Sequence, residues 1–127
     1  MPKKILVVDD EQDVRQFSKS RLEQFGYSVV TAENGREGLE KVRSEKPHLI
    51  LLDVNMPVLG GFDMFNELRL DPAHRDIPVI MVTVASQGKD IRKGMDLGAV
   101  TYLTKPFNMD VLLGLVQGFL GGEESIK

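Results

Sequence analysis

The sequence predicts an α/β protein in which helices cover both faces of a central parallel sheet. Five short apolar runs alternate along the chain with five segments whose apolar residues recur at helical spacing. Strands that alternate with helices usually pair in parallel, through right-handed crossover connections. The run LILL at 49–52 has no polar residue, which is typical of a strand buried on both faces. A chain of 127 residues is long enough for one such domain.

The first half of the chain contains three expected strands and two expected helices. ILVV at 5–8 and SVVTA at 28–32 are short β-branched runs, and HLILLDV at 48–54 is more strongly apolar. Helical spacing predicts helices at 12–25 and 36–46, the first ending before a glycine and the second before a proline. The residues expected to face the sheet from these helices are Val14, Phe17, Leu22, Phe25, Leu39 and Val42.

The second half adds two strands and three helices. PVIMVTV at 78–84 and VTYLT at 100–104 have the composition of strands. Helices are predicted at 61–70, 88–97 and 107–120, and a glycine within the middle one weakens its pattern. The residues expected to face the sheet from the first and last of these helices are Phe62, Phe65, Leu68, Leu112, Leu115, Val116 and Phe119.

The last helix has more apolar residues than a core-facing stripe requires. Its apolar arc covers about 200°, against the roughly 100° needed to face a core. Either the helix is deeply covered or scattered leucines lie at the surface, or it presents an apolar patch to a partner. The additional apolar residues are Met109, Val111, Leu113 and Leu120.

Composition argues against several kinds of protein. A formal net charge of −3 does not suit a surface for nucleic acid or for an anionic membrane. The absence of cysteine excludes disulfides and thiolate metal sites. No apolar run approaches the roughly 20 residues of a membrane span, and the start lacks the pattern of a signal peptide. The cytoplasm is therefore the expected compartment.

Polar residues collect where the predicted strands end. Asp9 and Asp10 follow the first strand, Asp53 ends the third, Thr83 lies near the end of the fourth and Lys105 follows the fifth. The carboxyl ends of parallel strands meet at one edge of the sheet, which is where ligands bind in such folds. These five side chains are therefore expected to form one cluster.

Three carboxylates and one ammonium leave that cluster with about two uncompensated negative charges. At a separation of ~5 Å and an effective dielectric constant of ~20, each pair of carboxylates repels by roughly 3 kcal/mol. A divalent cation would neutralise the excess, and oxygen ligands favour Mg²⁺, Mn²⁺ or Ca²⁺ over Zn²⁺. The alternative is that Asp10 and Glu11 only favour the start of the first helix. No glycine-rich nucleotide-binding motif is present.

Four motifs, VVDDE, LLDVNMP, VIMVT and YLTKPF, resemble those of the receiver domain of two-component response regulators of the chemotaxis-regulator kind. The resemblance spans nearly the whole chain, with the motifs in the family's order. It implies a flavodoxin-like, three-layer α/β/α fold with five parallel strands in the order 2-1-3-4-5 and five helices. It also implies a receiver domain at 1–121 and a short tail at 122–127. Because that tail is too short for an effector, a stand-alone receiver is the favoured expectation.

The resemblance implies a role for the matching residues. Asp53 would accept a phosphoryl group as an acyl phosphate. Asp10, Asp53 and the backbone carbonyl of Asn55 would bind Mg²⁺, with Mn²⁺ as an alternative. Asp9 would act through metal-bound water. Lys105 would hold the Asp53 carboxylate and then a phosphoryl oxygen.

Other residues would communicate the phosphorylated state. Thr83 would donate its hydroxyl to the phosphoryl group, and Tyr102 would be an aromatic switch that turns inward as Thr83 moves. The Lys105–Pro106 peptide would be cis. Val84 and Ala85 are expected to modulate access to the aspartate.

The sequence departs from the family's pattern at a few positions. Val84 stands where the family usually has a small residue, at a position that borders access to the aspartate. Gly60 replaces a usual capping side chain at the start of the third helix. Val100 and Thr101 replace a frequently acidic pair.

The expected function is a phosphorylation switch rather than an enzyme, although the domain would promote its own phosphorylation and dephosphorylation. The phosphoryl group would come from a sensor histidine kinase or a histidine phosphotransfer protein. The output would be a downstream protein or a homodimer, bound through the fourth helix, fifth strand and fifth helix, with no nucleic acid or membrane. Two alternatives remain open: a magnesium-dependent phosphatase like the haloacid dehalogenases, and a receiver-like protein that binds partners without phosphate.

Overall fold

The computed structural model describes residues 2–56, 58–84 and 88–121, with the backbone alone for Gly88 and Asp90. In this part of the chain five strands alternate with five helices. The strands are β1 (Lys4–Val8), β2 (Ser28–Ala32), β3 (Leu49–Asp53), β4 (Val79–Val84) and β5 (Thr101–Lys105). The helices are α1 (Gln12–Gln24), α2 (Gly35–Glu45), α3 (Gly61–Leu70), α4 (Gly88–Asp96) and α5 (Met109–Leu120).

All five strands pair in parallel, in the order β2-β1-β3-β4-β5. The predicted three-layer, flavodoxin-like architecture is therefore confirmed. β1 pairs with β2 on one side and with β3 on the other, so the connections turn in opposite directions from it. A crevice forms beyond the carboxyl ends of the strands at such a reversal.

Two hydrophobic cores, one on each face of the sheet, fix the helices. Along β1, alternate side chains enter opposite cores, with Ile5 in one and Leu6 in the other. The first core contains Leu22 of α1 and Leu112 of α5. The second contains residues of α2 and α3, among them Phe65, which is fully buried. Both faces of the sheet are thus covered, as the continuous apolar strands predict.

Phe17 was expected to face the sheet, and this prediction is wrong. The side chain is 52% exposed, whereas Ser18 is 1% exposed and faces the core beside Leu22. Ser18 and Leu22 are four residues apart and share a helical face, while Phe17 lies about 100° from Ser18. The spacing of apolar residues alone therefore predicted the wrong residue of α1 to lie against the core.

The core-facing stripe of α5 is also displaced from the predicted one. Leu113, expected outside the core, is only 6% exposed, and Phe119, expected inside, is 44% exposed. Leu112 and Val116 are buried as predicted, and both candidate stripes contain them, so helical spacing could not choose between the two. The helix starts at Met109 rather than at 107 because the Asn108 side chain accepts a hydrogen bond from the Asp110 N–H and caps it.

Candidate functional site

The predicted cluster forms at the carboxyl edge of the sheet, beside the reversal in strand order. The ends of β1, β3, β4 and β5 all contribute to it. A cleft of about 240 Å³ opens there among residues from these strand ends and the loops that follow them. The residues that line it are Asp10, Glu11, Asp53, Asn55, Val84 and Lys105.

Three carboxylates converge at this cleft. Asp9, Asp10 and Asp53 each offer an oxygen, and these oxygens lie within 4.8 Å of one another. Asp9 and Asp53 are buried, at 2% and 4% exposure, while Asp10 is exposed. Burial and mutual repulsion both disfavour charge here, so the site stores electrostatic free energy that a cation would release.

The Lys105 ammonium lies among these groups. Its Nζ is 3.0 Å from Asp9 Oδ2 and 3.4 Å from Asp53 Oδ2. The shortest of its ion pairs, at 2.8 Å, is with Glu11 Oε1. The sequence predicted the contact with Asp53 but missed Glu11 as a residue of the site. The third consecutive carboxylate of the DDE run was the signal that could have found it.

The electrostatics of the cluster shift several protonation equilibria. Burial raises the pKa of Asp53 to about 7, and the neighbouring charge of Asp9 adds to this effect. Burial also raises the pKa of Asp9. Burial by itself lowers the pKa of Lys105, but hydrogen bonds to Glu11 and Asp9 and the charge of Asp53 outweigh it and raise that pKa. The lysine therefore stays charged while the carboxylates compete for it.

Backbone contacts hold the two buried aspartates in place. The Glu11 N–H donates to Asp9 Oδ1 at 2.9 Å, and Arg15 Nη1 donates to the Asp9 carbonyl at 2.7 Å. The Asn55 N–H lies 3.4 Å from Asp53 Oδ1. Behind Asp53, α3 begins so close that a Cβ on Gly61 would lie 2.2 Å from the Asp53 carbonyl oxygen. Only glycine fits at that position without moving the backbone of Asp53.

Thr83 is close to the cleft but is not engaged in it. Its side chain is 1% exposed, and its Oγ1 has no hydrogen-bond partner among the residues that the structure describes. A buried hydroxyl without a partner is unfavourable by about 1–3 kcal/mol. The site therefore contains a donor that an incoming acceptor could satisfy.

The other predicted residues fall around this core of the site. Tyr102 of β5 is 42% exposed and points outward. The Lys105–Pro106 peptide is cis. Val84 is 38% exposed at the cleft, opposite Lys105 in the register of β4 and β5. Ala85 lies outside the described residues.

The donor set fits a hard divalent cation. It consists only of oxygens, two of the three carboxylates are buried, and one ammonium is shared among three acidic side chains, Asp9, Glu11 and Asp53. Oxygen-only sites of this kind select Mg²⁺ or Mn²⁺ rather than Zn²⁺. The predicted metal ligands are therefore together in one place, with the exposed Asn55 beside them.

Residues 5–117 match the model of the response regulator receiver domain. The chain belongs to this family. The match covers β1 from its second residue, the other four strands and most of α5, and so includes every strand end that contributes to the cleft. The resemblance inferred from the four motifs is confirmed.

Relatives of this receiver domain include larger regulators. It is 44% identical over 108 residues to the alkaline phosphatase synthesis transcriptional regulatory protein PhoP of Bacillus subtilis, covering 85% of this chain and 44% of that protein. It is 38% identical over 120 residues to the response regulator MprA of Mycolicibacterium vanbaalenii, covering 94% of this chain and 51% of that protein. The chain thus spans about half the length of the curated relatives it matches.

Solved receiver structures have the same fold. The chemotaxis protein CheY4 of Vibrio cholerae is 36% identical, with a TM-score of 0.88, over 94% of this chain and 100% of that one. The receiver domain of the Francisella response regulator 1452 is 31% identical, with a TM-score of 0.84, over 92% and 95%. In the part of this receiver domain that the structure describes, every helix is too short or too polar to cross a lipid bilayer.

Proposed function

We propose that this receiver domain is a phosphorylation switch whose acceptor is Asp53. The observation that carries the proposal is the position of the Asp53 carboxylate. It lies within 4.8 Å of oxygens of two further aspartates, and 3.4 Å from the Lys105 ammonium. A carboxylate can act as a nucleophile toward phosphorus, and a nearby lysine can stabilise the charge on the transferred oxygens. The proposed compartment is the cytoplasm.

The proposed donor is a phosphohistidine of a sensor histidine kinase or a histidine phosphotransfer protein. An Asp53 carboxylate oxygen attacks phosphorus, an O–P bond forms and the P–N bond to imidazole breaks. The electron pair of that bond returns to the imidazole nitrogen, which is then protonated. Hydrolysis reverses the state, because water attacks phosphorus and releases inorganic phosphate from the aspartate. The chain has no separate substrate under this proposal and is not classed as an enzyme.

Asp10, Asp53 and the backbone carbonyl of Asn55 would hold Mg²⁺ or Mn²⁺, and Asp9 would contribute through water. A cation bound there supplies positive charge to the phosphoryl oxygens during transfer. Lys105 supplies a second positive charge from the β5 side of the cleft. The residues of the chain thus orient the acceptor and keep its carboxylate available as a nucleophile.

The direct test is labelling of the unmodified protein with acetyl phosphate. In the presence of Mg²⁺ the protein should gain the mass of one phosphoryl group, and hydroxylamine should remove it because an acyl phosphate is labile to that reagent. A chelator should prevent labelling, since the uncompensated carboxylates repel the anionic donor. A hydroxylamine-resistant label, or equal labelling in the presence of the chelator, would contradict the proposal.

Thr83 would couple the phosphoryl group to the surface. Its buried hydroxyl lacks a partner among the described residues, so a phosphoryl oxygen would satisfy it. A hydrogen bond to an anion contributes about 1.5–3 kcal/mol, enough to shift a two-state equilibrium about ten- to a hundredfold. Tyr102, now exposed, would turn inward as Thr83 moves.

Thr83→Ala should leave Asp53 phosphorylatable but remove the response of Tyr102. The chain has two tyrosines, so fluorotyrosine incorporated into the protein gives two signals in a ¹⁹F NMR spectrum. Phosphorylation should shift the Tyr102 signal in the unmodified protein and in Thr83→Ser, which retains the hydroxyl, but not in Thr83→Ala. An unchanged response in Thr83→Ala would exclude this route of coupling.

Val84 would narrow the approach of phosphate donors. Its β-branched side chain is stiff, and it lines the cleft beside Lys105. Val84→Ala should therefore speed phosphorylation by acetyl phosphate severalfold, and dephosphorylation as well. Val111→Ala, which removes an exposed valine of α5, is the matched control. Equal rates in all three proteins would show that Val84 does not restrict access.

The proposed output surface is the face formed by α4, β5 and α5, which would bind a downstream protein or a second copy of the domain. Large apolar side chains are exposed on each of these elements: Met95, Tyr102, Val111 and Phe119. Leu113 does not belong to this surface because it is buried. Substitutions that probe association therefore belong at Val111 or Phe119, where a charge can be introduced without entering the core.

A further inference from the structure

The Lys105 ammonium has carboxylates on several sides, and the nearest one is not the proposed phosphoacceptor. Glu11 Oε1 lies 2.8 Å from Lys105 Nζ, whereas Asp53 Oδ2 lies 3.4 Å from it. Asp9 Oδ2, at 3.0 Å, is between the two. The ammonium thus lies nearer to the exposed Glu11 carboxylate than to the buried Asp53 carboxylate.

Glu11 has no helix-capping function that would explain its orientation. It occupies the N-cap position of α1, yet its side chain makes no capping hydrogen bond. Aspartate, asparagine, serine and threonine are the residues that cap well at this position. The Glu11 carboxylate reaches Lys105 instead, across 94 positions of sequence, and it lines the cleft with Asp53.

The ion pair between Glu11 and Lys105 is exposed enough to solvent to break without a large loss of free energy. The Glu11 side chain is 60% exposed, and ion pairs this exposed contribute little to stability. The Lys105 side chain is only 16% exposed, so its ammonium interacts mainly with Glu11 and the two buried aspartates rather than with solvent. A phosphoryl group on Asp53 would bring new oxygens to the inner side of the lysine and compete with Glu11.

We propose that Glu11 is a positioning residue that holds Lys105 away from Asp53 until a phosphoryl group draws the lysine inward. This inference rests on the proposed phosphorylation of Asp53. Glu11 acts through Lys105 and takes no part in the bond changes. The pair slows phosphorylation of the resting protein, because the lysine must first leave Glu11 to assist the transfer.

The test measures labelling rates with acetyl phosphate and Mg²⁺ at several donor concentrations. Glu11→Gln should react about three- to tenfold faster, because it removes both the competing contact and a negative charge at the cleft. Glu11→Asp retains the charge but is one methylene shorter and should also react faster. Glu33→Gln removes an acidic side chain of similar exposure, 63%, that makes no ion pair with Lys105. Its rate should not change.

A second measurement does not depend on phosphorylation. In protein without metal or phosphate, the ¹⁵Nζ signal of Lys105 should shift in Glu11→Gln and Glu11→Asp but not in Glu33→Gln. An unchanged signal in Glu11→Gln would overturn the inference, as would an unchanged or slower rate of labelling. If Glu11→Asp reacts at the rate of the unmodified protein, charge alone is responsible and the positioning role is wrong. Absence of label from every protein would instead overturn the proposed function, and this inference with it.

Discussion

Asp53→Asn should remove all of the label that the unmodified protein takes up from acetyl phosphate and Mg²⁺. The carboxamide is not a competent nucleophile, and it removes the negative charge of one of the three carboxylates that converge on the cation site. The substitution is close to isosteric, so the buried side chain should keep its place at the end of β3. Intact-protein mass spectrometry measures the loss directly.

Two controls separate the acceptor from its surroundings. Asp63→Asn changes an exposed aspartate of α3 outside the cleft and should label as the unmodified protein does. Asp10→Asn retains the nucleophile but weakens the cation site, and should slow labelling without moving it to another residue. Peptide mapping of the labelled proteins distinguishes these cases. A label that persists in Asp53→Asn would show that another residue is the acceptor.

The metal-free protein should lose stability as the pH rises from about 4 to 8. An unfolded chain releases the Asp53 proton near pH 3.8, whereas the folded protein keeps it until about pH 7. Between these values the folded state binds more protons than the unfolded state. Raising the pH across this range therefore lowers the free energy of unfolding, by about 2–4 kcal/mol in total. Asp9, whose pKa is also raised, acts in the same direction. Lys105 is charged in both states over this range and does not alter the sign.

Urea unfolding at pH 4.5 and pH 8, with a chelator present, measures this difference. The free energy of unfolding of Asp53→Asn should fall less between these two pH values, because of the two raised carboxyl groups only Asp9 remains. At pH 8 this variant should be more stable than the unmodified protein. Adding Mg²⁺ at pH 8 should restore stability to the unmodified protein by binding the folded state. Glu40→Gln, an exposed change on α2, should follow the unmodified protein. Parallel curves for Asp53→Asn and the unmodified protein would show that Asp53 is not destabilising.

The sequence predicted the order of the elements and the edge at which the site forms because both follow from rules that act along the chain. Alternation of strands and helices sets the parallel sheet, and the carboxyl end of each strand is visible as the place where apolar residues give way to Asp9, Asp53 or Lys105. The strand order itself came from the resemblance to a family.

Contacts between side chains were harder to predict. Lys105 has a long flexible side chain with three carboxylates within reach, and the strand ends do not determine which of them it prefers. The exposure of Phe17 depends on a rotation of α1 that places Ser18 against the core. Thr83 was expected to act as a hydrogen-bond donor. That its hydroxyl has no partner among the described residues depends on the packing around it, which the sequence does not show.

The outer side of α5 offers a convenient place for a reporter. A Cβ built on Gly114 or on Gly118 meets no atom of the described residues within 4 Å, and the chain has no cysteine. Gly118→Cys would therefore provide the sole thiol of the protein, on a helix that should tolerate the added side chain because glycine is a poor helix former. A fluorophore attached there would lie on the same helix as Val111 and Phe119, and its emission would follow the occupancy of that face in real time without an engineered partner.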